Sequence, residues 1–169
     1  WAMLLEFSAQ FFTPILLIMW VNSKFSEEKM MLFTKLVLAT TFVCHGLYAA
    51  DILALPQKFV SMTISSFSCT RADAVLFLRI AGILDFIVAI FLFLPKPIFQ
   101  RMGLWYMVFW GFVTAFARIY SNFYSFDAWH SLLQWTHEFL FRSPHFLLPL
   151  FLLVIMRKTK IRESRYSDI

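Results

Sequence analysis

Nine ionisable residues stand inside otherwise apolar runs of this chain: His45, Asp51, Arg79, Asp85, Arg118, His137, Glu138, Arg142 and His145. Carboxylates can accept protons, imidazoles can change charge near neutral pH, and guanidinium groups can hold neighbouring carboxylates ionised. A charge at the centre of a bilayer costs roughly 2.5 to 3.5 kcal/mol, so several charges facing lipid are disfavoured and the groups are expected to face one another. Arg79, Arg118 and Arg142 against Asp51, Asp85 and Glu138 would make a neutral buried set, with His45 and His145 as its variable members. These eight residues are the candidates for a ligand or proton site. The plainer reading is that such pairs only fix helix register, since buried ion pairs often add little net stability after desolvation. His130 and His137, close to Trp129 and Trp135, read instead as residues at the level of the lipid headgroups.

Spacing sharpens the pattern. Glu138, Arg142, His145 and Pro149 follow i, i+4, i+7, i+11 and would stack on one face of a single helix. Pro144 and Pro149 each remove a helical hydrogen bond, so a kink is expected where the polar stripe ends. Gly111, Thr114 and Arg118 form a similar stripe, and Arg79, Gly82 and Asp85 a broader one, with the glycines allowing close helix approach.

The elements that must position these groups are membrane helices. Of the 169 residues, 60% are hydrophobic and only 15% charged, outside the ordinary soluble range. Apolar runs of about 20 residues predict five spans, near 1–21, 32–55, 74–94, 102–120 and 132–156, in one all-α transmembrane bundle without a soluble domain. The alternating ten-residue segments of a β-barrel are absent. The first run contains Glu6, lacks a basic leader and ends in "MWVNSK" without a small-residue cleavage site, so it reads as a span and not as a signal peptide.

Lys24, Lys29, Lys35, Lys96, Arg101, Arg157, Lys158, Lys160, Arg162 and Arg165 fall on one side of such a bundle, against Lys58 and Arg71 on the other. This asymmetry predicts an outer N-terminus and a basic cytoplasmic tail over 157–169. It also explains the net charge of +5 through anionic lipid headgroups, and not through nucleic acid. The candidate residues then lie in the middle or outer half of the membrane. The connection Pro56 to Asp73 mixes Phe59, Val60, Met62, Ile64 and Phe67 with Ser and Thr, and could lie on the membrane surface over the polar pocket or form an ordinary loop. Cys44 reads as a buried thiol. No CxxC, HExxH or Gly-rich phosphate loop occurs, so no metal or soluble-cofactor signature is visible.

The segments "FVCHGLYA" (42–49), "LRIAGILDFIVAIFLFLP" (78–95), "WGFVTAFAR" (110–118) and "EFLFRSPHFLLPL" (138–150) resemble the DoxX-like family of small membrane proteins. The resemblance spans about 32–156 and rests on Gly82 with Asp85, and on Arg142, His145 and Pro149. It implies a four-helix membrane core with one added N-terminal helix, and an accessory subunit of a quinone-linked membrane redox complex. In that reading, a quinone would be the bound molecule, and membrane lipid and other membrane subunits the partners. The expected location is a bacterial inner or other energy-transducing membrane. The family supplies no catalytic residues. A purely structural or assembly subunit is the competing expectation. A transporter is disfavoured, because the inner halves of the spans hold almost no ionisable groups and no polar path crosses the membrane.

Overall fold

The computed structural model of the chain describes residues 2–22 and 25–167, with side chains up to Thr159. Lys24 and the side chains of Lys160, Arg162 and Arg165, which enter the charge asymmetry above, lie outside the described residues. The described residues form eight α-helices: α1 (Ala2–Glu6), α2 (Ser8–Val21), α3 (Glu27–Ala49), α4 (Gln57–Phe67), α5 (Arg71–Phe91), α6 (Pro97–Tyr120), α7 (Ala128–Phe141) and α8 (Pro144–Ser167). A 3-10 turn, Ser125–Asp127, precedes α7.

Three of these, α3, α5 and α6, are long and apolar enough to cross a membrane. The pair α7–α8, bent by 42°, makes a fourth span if it is counted as one. Five spans are predicted, and the difference lies in the first run. It breaks at Phe7 into a single turn and the 14-residue α2, which at 1.5 Å per residue reaches about 21 Å, short of a bilayer core of about 30 Å. The remaining helices close a ring in which α3 packs on α5, α5 on α6, α6 on α8 and α8 on α3, while α1 and α2 lie against α3 and α8.

Local sequence explains the helix ends. Helix α5 starts with a reciprocal capping box between Thr70 and Asp73, and α6 starts with Pro97 in its first turn, where a missing N–H costs nothing. Helix α3 stops at Ala49, short of the predicted 55, because Asp51 takes a left-handed conformation with φ 61°. The amides of Asp51 and Ile52 then bond back to the carbonyls of Tyr48 and Leu47, a Schellman closure. The predicted fifth helix is interrupted at Arg142 and Ser143. Pro144, the first residue of α8, disfavours helical geometry in the residue before it.

Leu38, Leu92, Leu104, Met107 and Leu152 are fully buried at the centre of the ring. A second cluster, Phe59, Val60, Ala74 and Leu78, seats the apolar face of α4 against α5. Helix α4 therefore covers the end of the bundle where α3 and α6 finish and α5 begins. On the opposite side of α5, Ile80, Ile83, Leu84, Ile87 and Ile90 form an exposed apolar stripe suited to lipid.

Candidate functional site

The site begins where α3 and α5 touch. A side chain on Gly82 would put its Cβ 2.4 Å from the Ala50 amide nitrogen, so only glycine allows this approach. The approach sets His45 of α3 against Asp85 of α5, with Nδ1 2.7 Å from Oδ2. Asp85 is fully buried, and the Tyr106 hydroxyl of α6 donates to its other oxygen over 3.3 Å. Both carboxylate oxygens are thus engaged, as a buried carboxylate requires. Because Nδ1 of His45 is committed to Asp85, Nε2 is the ring nitrogen left to act on a bound molecule.

His45 forms part of the wall of a cavity of about 350 Å³, between α4 on one side and α5 and α6 on the other. Phe59 of α4 lies against the imidazole, with ring centroids 5.3 Å apart. Phe77, Phe112 and Phe116 contribute further apolar wall. This volume and lining suit a small lipid-soluble molecule. Most of the connection 56–73, expected to be either a cover on the membrane surface or an ordinary loop, is the helix α4 (Gln57–Phe67), which roofs this cavity.

Arg118, 3% exposed, closes one end of the cavity. Its Nη1 lies 3.6 Å from Glu138 Oε2 of α7 and 3.7 Å from the sulfur of Met62. Lys58 of α4 donates to the same Glu138 carboxylate over 3.1 Å and sits above the Trp135 ring. One carboxylate thereby ties the roof helix to α6 and α7.

The remaining candidates do not line the cavity; the direct contacts are Lys58 and Arg118 with Glu138, His45 with Asp85, Arg79 with Asp51 and Arg142 with Glu6, and Arg142 stays close enough to Arg118, Glu138 and His145 to interact with them electrostatically. Arg142, the C-cap of α7, pairs with Glu6 at 3.4 Å and lies over the Phe7 ring. His145 Nδ1 is 3.1 Å from Gln10 Nε2. His145 therefore leaves the stripe of Glu138 and Arg142, because the break before Pro144 resets the helical register after Arg142. Arg79 and Asp51 pair with each other at 2.7 Å, with side chains 53% and 34% exposed, and neither lines the cavity. Asp51 lies just beyond α3, and the Arg79 hydrogen bond holds its carboxyl below the ordinary carboxylate range.

The structure adds Glu6, Gln10, Lys58 and Tyr106 to the polar groups of the bundle. Glu6 and Gln10 carried a signal, a polar pair at i, i+4 in an apolar run. Tyr106 carried none among 22 Phe, 6 Trp and 5 Tyr. The glycine expectation holds at Gly111 as well. Its added Cβ would lie 2.6 Å from the His145 carbonyl, the acceptor that Pro149 leaves without its usual helical partner.

No protein-family model matches the chain, and neither a curated protein nor a solved structure matches it significantly. The likeness to DoxX-like proteins therefore rests on the four quoted segments alone.

Proposed function

We propose that this chain is an accessory subunit of a quinone-linked membrane redox complex, and that the cavity beneath α4 takes the quinone headgroup. The observation that carries this reading is the pairing of His45, in the wall of an aromatic cavity of about 350 Å³, with the fully buried Asp85. A histidine oriented by a buried carboxylate can take up or deliver a proton at its second nitrogen, and the carboxylate stabilises the imidazolium that forms. A quinone or quinol oxygen against Nε2 would use that capacity. The DoxX-like resemblance points to the same class of complex. The positive-inside pattern supports placing α4 at the outer face and the C-terminus in the cytoplasm of a bacterial inner or comparable membrane. The exposed isoleucine stripe of α5 is then a surface for lipid or neighbouring subunits.

A structural subunit is the second reading, favoured by the Arg79–Asp51 and Arg142–Glu6 pairs, which join elements without lining the cavity. Purification in mild detergent, with mass spectrometry of co-purifying proteins and extracted lipids, separates the two. A quinone retained at about one per chain supports the proposal. Stable partner proteins with no retained small molecule support the structural reading.

A further inference from the structure

The two ends of the bundle treat their cations differently. Toward the α4 end, Lys58 and Arg118 share Glu138, Arg79 holds Asp51 and Arg142 holds Glu6. Of the described cations there, Arg71 alone lacks a carboxylate, and it donates to Gln57 Oε1. At the opposite end, Lys29, Lys35, Lys96, Arg101, Arg157 and Lys158 stand with Glu27 and Glu28, and none of these cations forms an ion pair with a described residue. Their counter-charge must come from outside the described chain.

Lys35 stands apart from the others because it is fixed in place. It lies about 12 Å along α3 from Glu27 and is half-buried. Its Nζ donates to Gln100 Oε1 over 2.9 Å, and Gln100 Nε2 donates to the Leu94 carbonyl over 2.7 Å. The ammonium is thus held against the turn joining α5 to α6 by a neutral acceptor, which positions the charge without compensating it. An ammonium carries three N–H donors, and this contact uses one. Gln100 stands between two more cations, Lys96 at the N-cap of α6 and Arg101 beside it. The rim is apolar: Leu32 and Leu36 on α3, and Ile98, Met102 and Trp105 on α6, are exposed. Trp105 follows Arg101 by one helical turn and shares its face.

We propose that Lys35, Lys96 and Arg101 form a binding site for a phosphate group where α3 meets the α5–α6 turn, and that the phosphate belongs to the headgroup of an anionic phospholipid. Basic pockets between membrane helices recognise such headgroups. A guanidinium matches two phosphate oxygens at once, and charge-assisted bonds from an ammonium already held in place are strong. The exposed leucines and Trp105 give the acyl chains an apolar surface beside the charge. This site lies at the end of the bundle away from the α4 cavity and stands whether or not that cavity takes a quinone.

The test titrates the full chain in mild detergent with dioleoylphosphatidylglycerol or dioleoylphosphatidylcholine and counts bound lipid by native mass spectrometry. About 0.3 M ammonium acetate screens the diffuse attraction of a basic surface. The wild type is expected to retain the anionic lipid preferentially. Lys35→Gln and Arg101→Gln are each expected to weaken that binding about tenfold, the effect of one hydrogen bond to a charged group. Lys29→Gln, which removes the same charge from the same end, is expected to leave it unchanged. Arg101 makes no bond to a described residue, so its variant keeps the test open if Lys35→Gln fails to fold. Inorganic phosphate, compared with chloride at equal ionic strength, separates the two sources of the group. Anionic lipid that phosphate does not release supports the lipid headgroup, whereas release by phosphate supports the site with free phosphate as a sufficient ligand. Equal retention of the two lipids overturns the proposal. So does a preference eroded as much by Lys29→Gln as by the site variants, which would reduce it to a diffuse surface field.

Discussion

His45 Nδ1 and Asp85 Oδ2 lie 2.7 Å apart between α3 and α5, and the Tyr106 hydroxyl of α6 reaches the second oxygen of the same carboxylate. Three helices of the ring thus converge on one fully buried acid. Removing one partner of such a pair strands the other, so Asp85→Ala and His45→Ala should each lower stability by about 3 kcal/mol. The double variant should lose much less than the sum. Tyr106→Phe, which removes one donor, should cost about 1 kcal/mol. Thermal unfolding in detergent measures all four, and additive losses would show that the groups do not interact.

Glycine contacts should rank by the space around them. A Cβ at Gly82 or Gly111 meets backbone atoms at 2.4 Å and 2.6 Å, whereas at Gly103 the nearest atom is 3.1 Å away. Gly82→Ala and Gly111→Ala are expected to destabilise by about 1–3 kcal/mol through forced helix separation, and Gly103→Ala by less. The same unfolding assay gives the order.

Asp51 provides a pH test away from the cavity. Its carboxyl is held below the ordinary range by Arg79, so the pair stabilises the fold at pH values above the unfolded carboxyl's value, and that contribution is lost as pH falls through the lower folded value. Asp51→Asn keeps a side chain that tolerates the left-handed backbone while removing the charge. The stability gap between wild type and Asp51→Asn should be small and level above about pH 5, should close below about pH 4, and should shrink with added salt. A gap that widens in acid would contradict the assignment.

Glu138 should control the roof. Because Lys58 and Arg118 both reach this carboxylate, Glu138→Gln should loosen α4. Amide hydrogen exchange is expected to speed up across Gln57–Phe67 and to stay unchanged in the middle of α5. Uniform acceleration through the bundle would mean that Glu138 supports the whole fold instead.

Much of the scaffold was legible in the amino-acid sequence because the relevant signals are local. Apolar runs of span length mark α3, α5 and α6, although the spans expected from 74 and 102 begin earlier, at Arg71 and Pro97. The site was legible only in part. His45 and Asp85 stand out as ionisable groups in apolar runs, yet their pairing depends on the close contact at Gly82, which is a tertiary event. The stripe of Glu138, Arg142 and His145 assumed an unbroken helix; the bend before Pro144 takes His145 out of register, while Glu138 and Arg142, both ahead of the bend, take different ion-pair partners. Arg79 and Asp51 looked like members of the same network because sequence gives depth without giving the facing direction.

Photolabelling with an azido-benzoquinone, followed by peptide mapping, tests the central claim most directly. If the cavity beneath α4 is the quinone site, the label falls on peptides covering 57–67 and 110–120 and is lost in His45→Ala but not in Arg79→Ala. Label spread along the exposed stripe from Ile80 to Ile90, or collected between α2 and α8 around Trp20 and Phe151, and indifferent to His45, would contradict it.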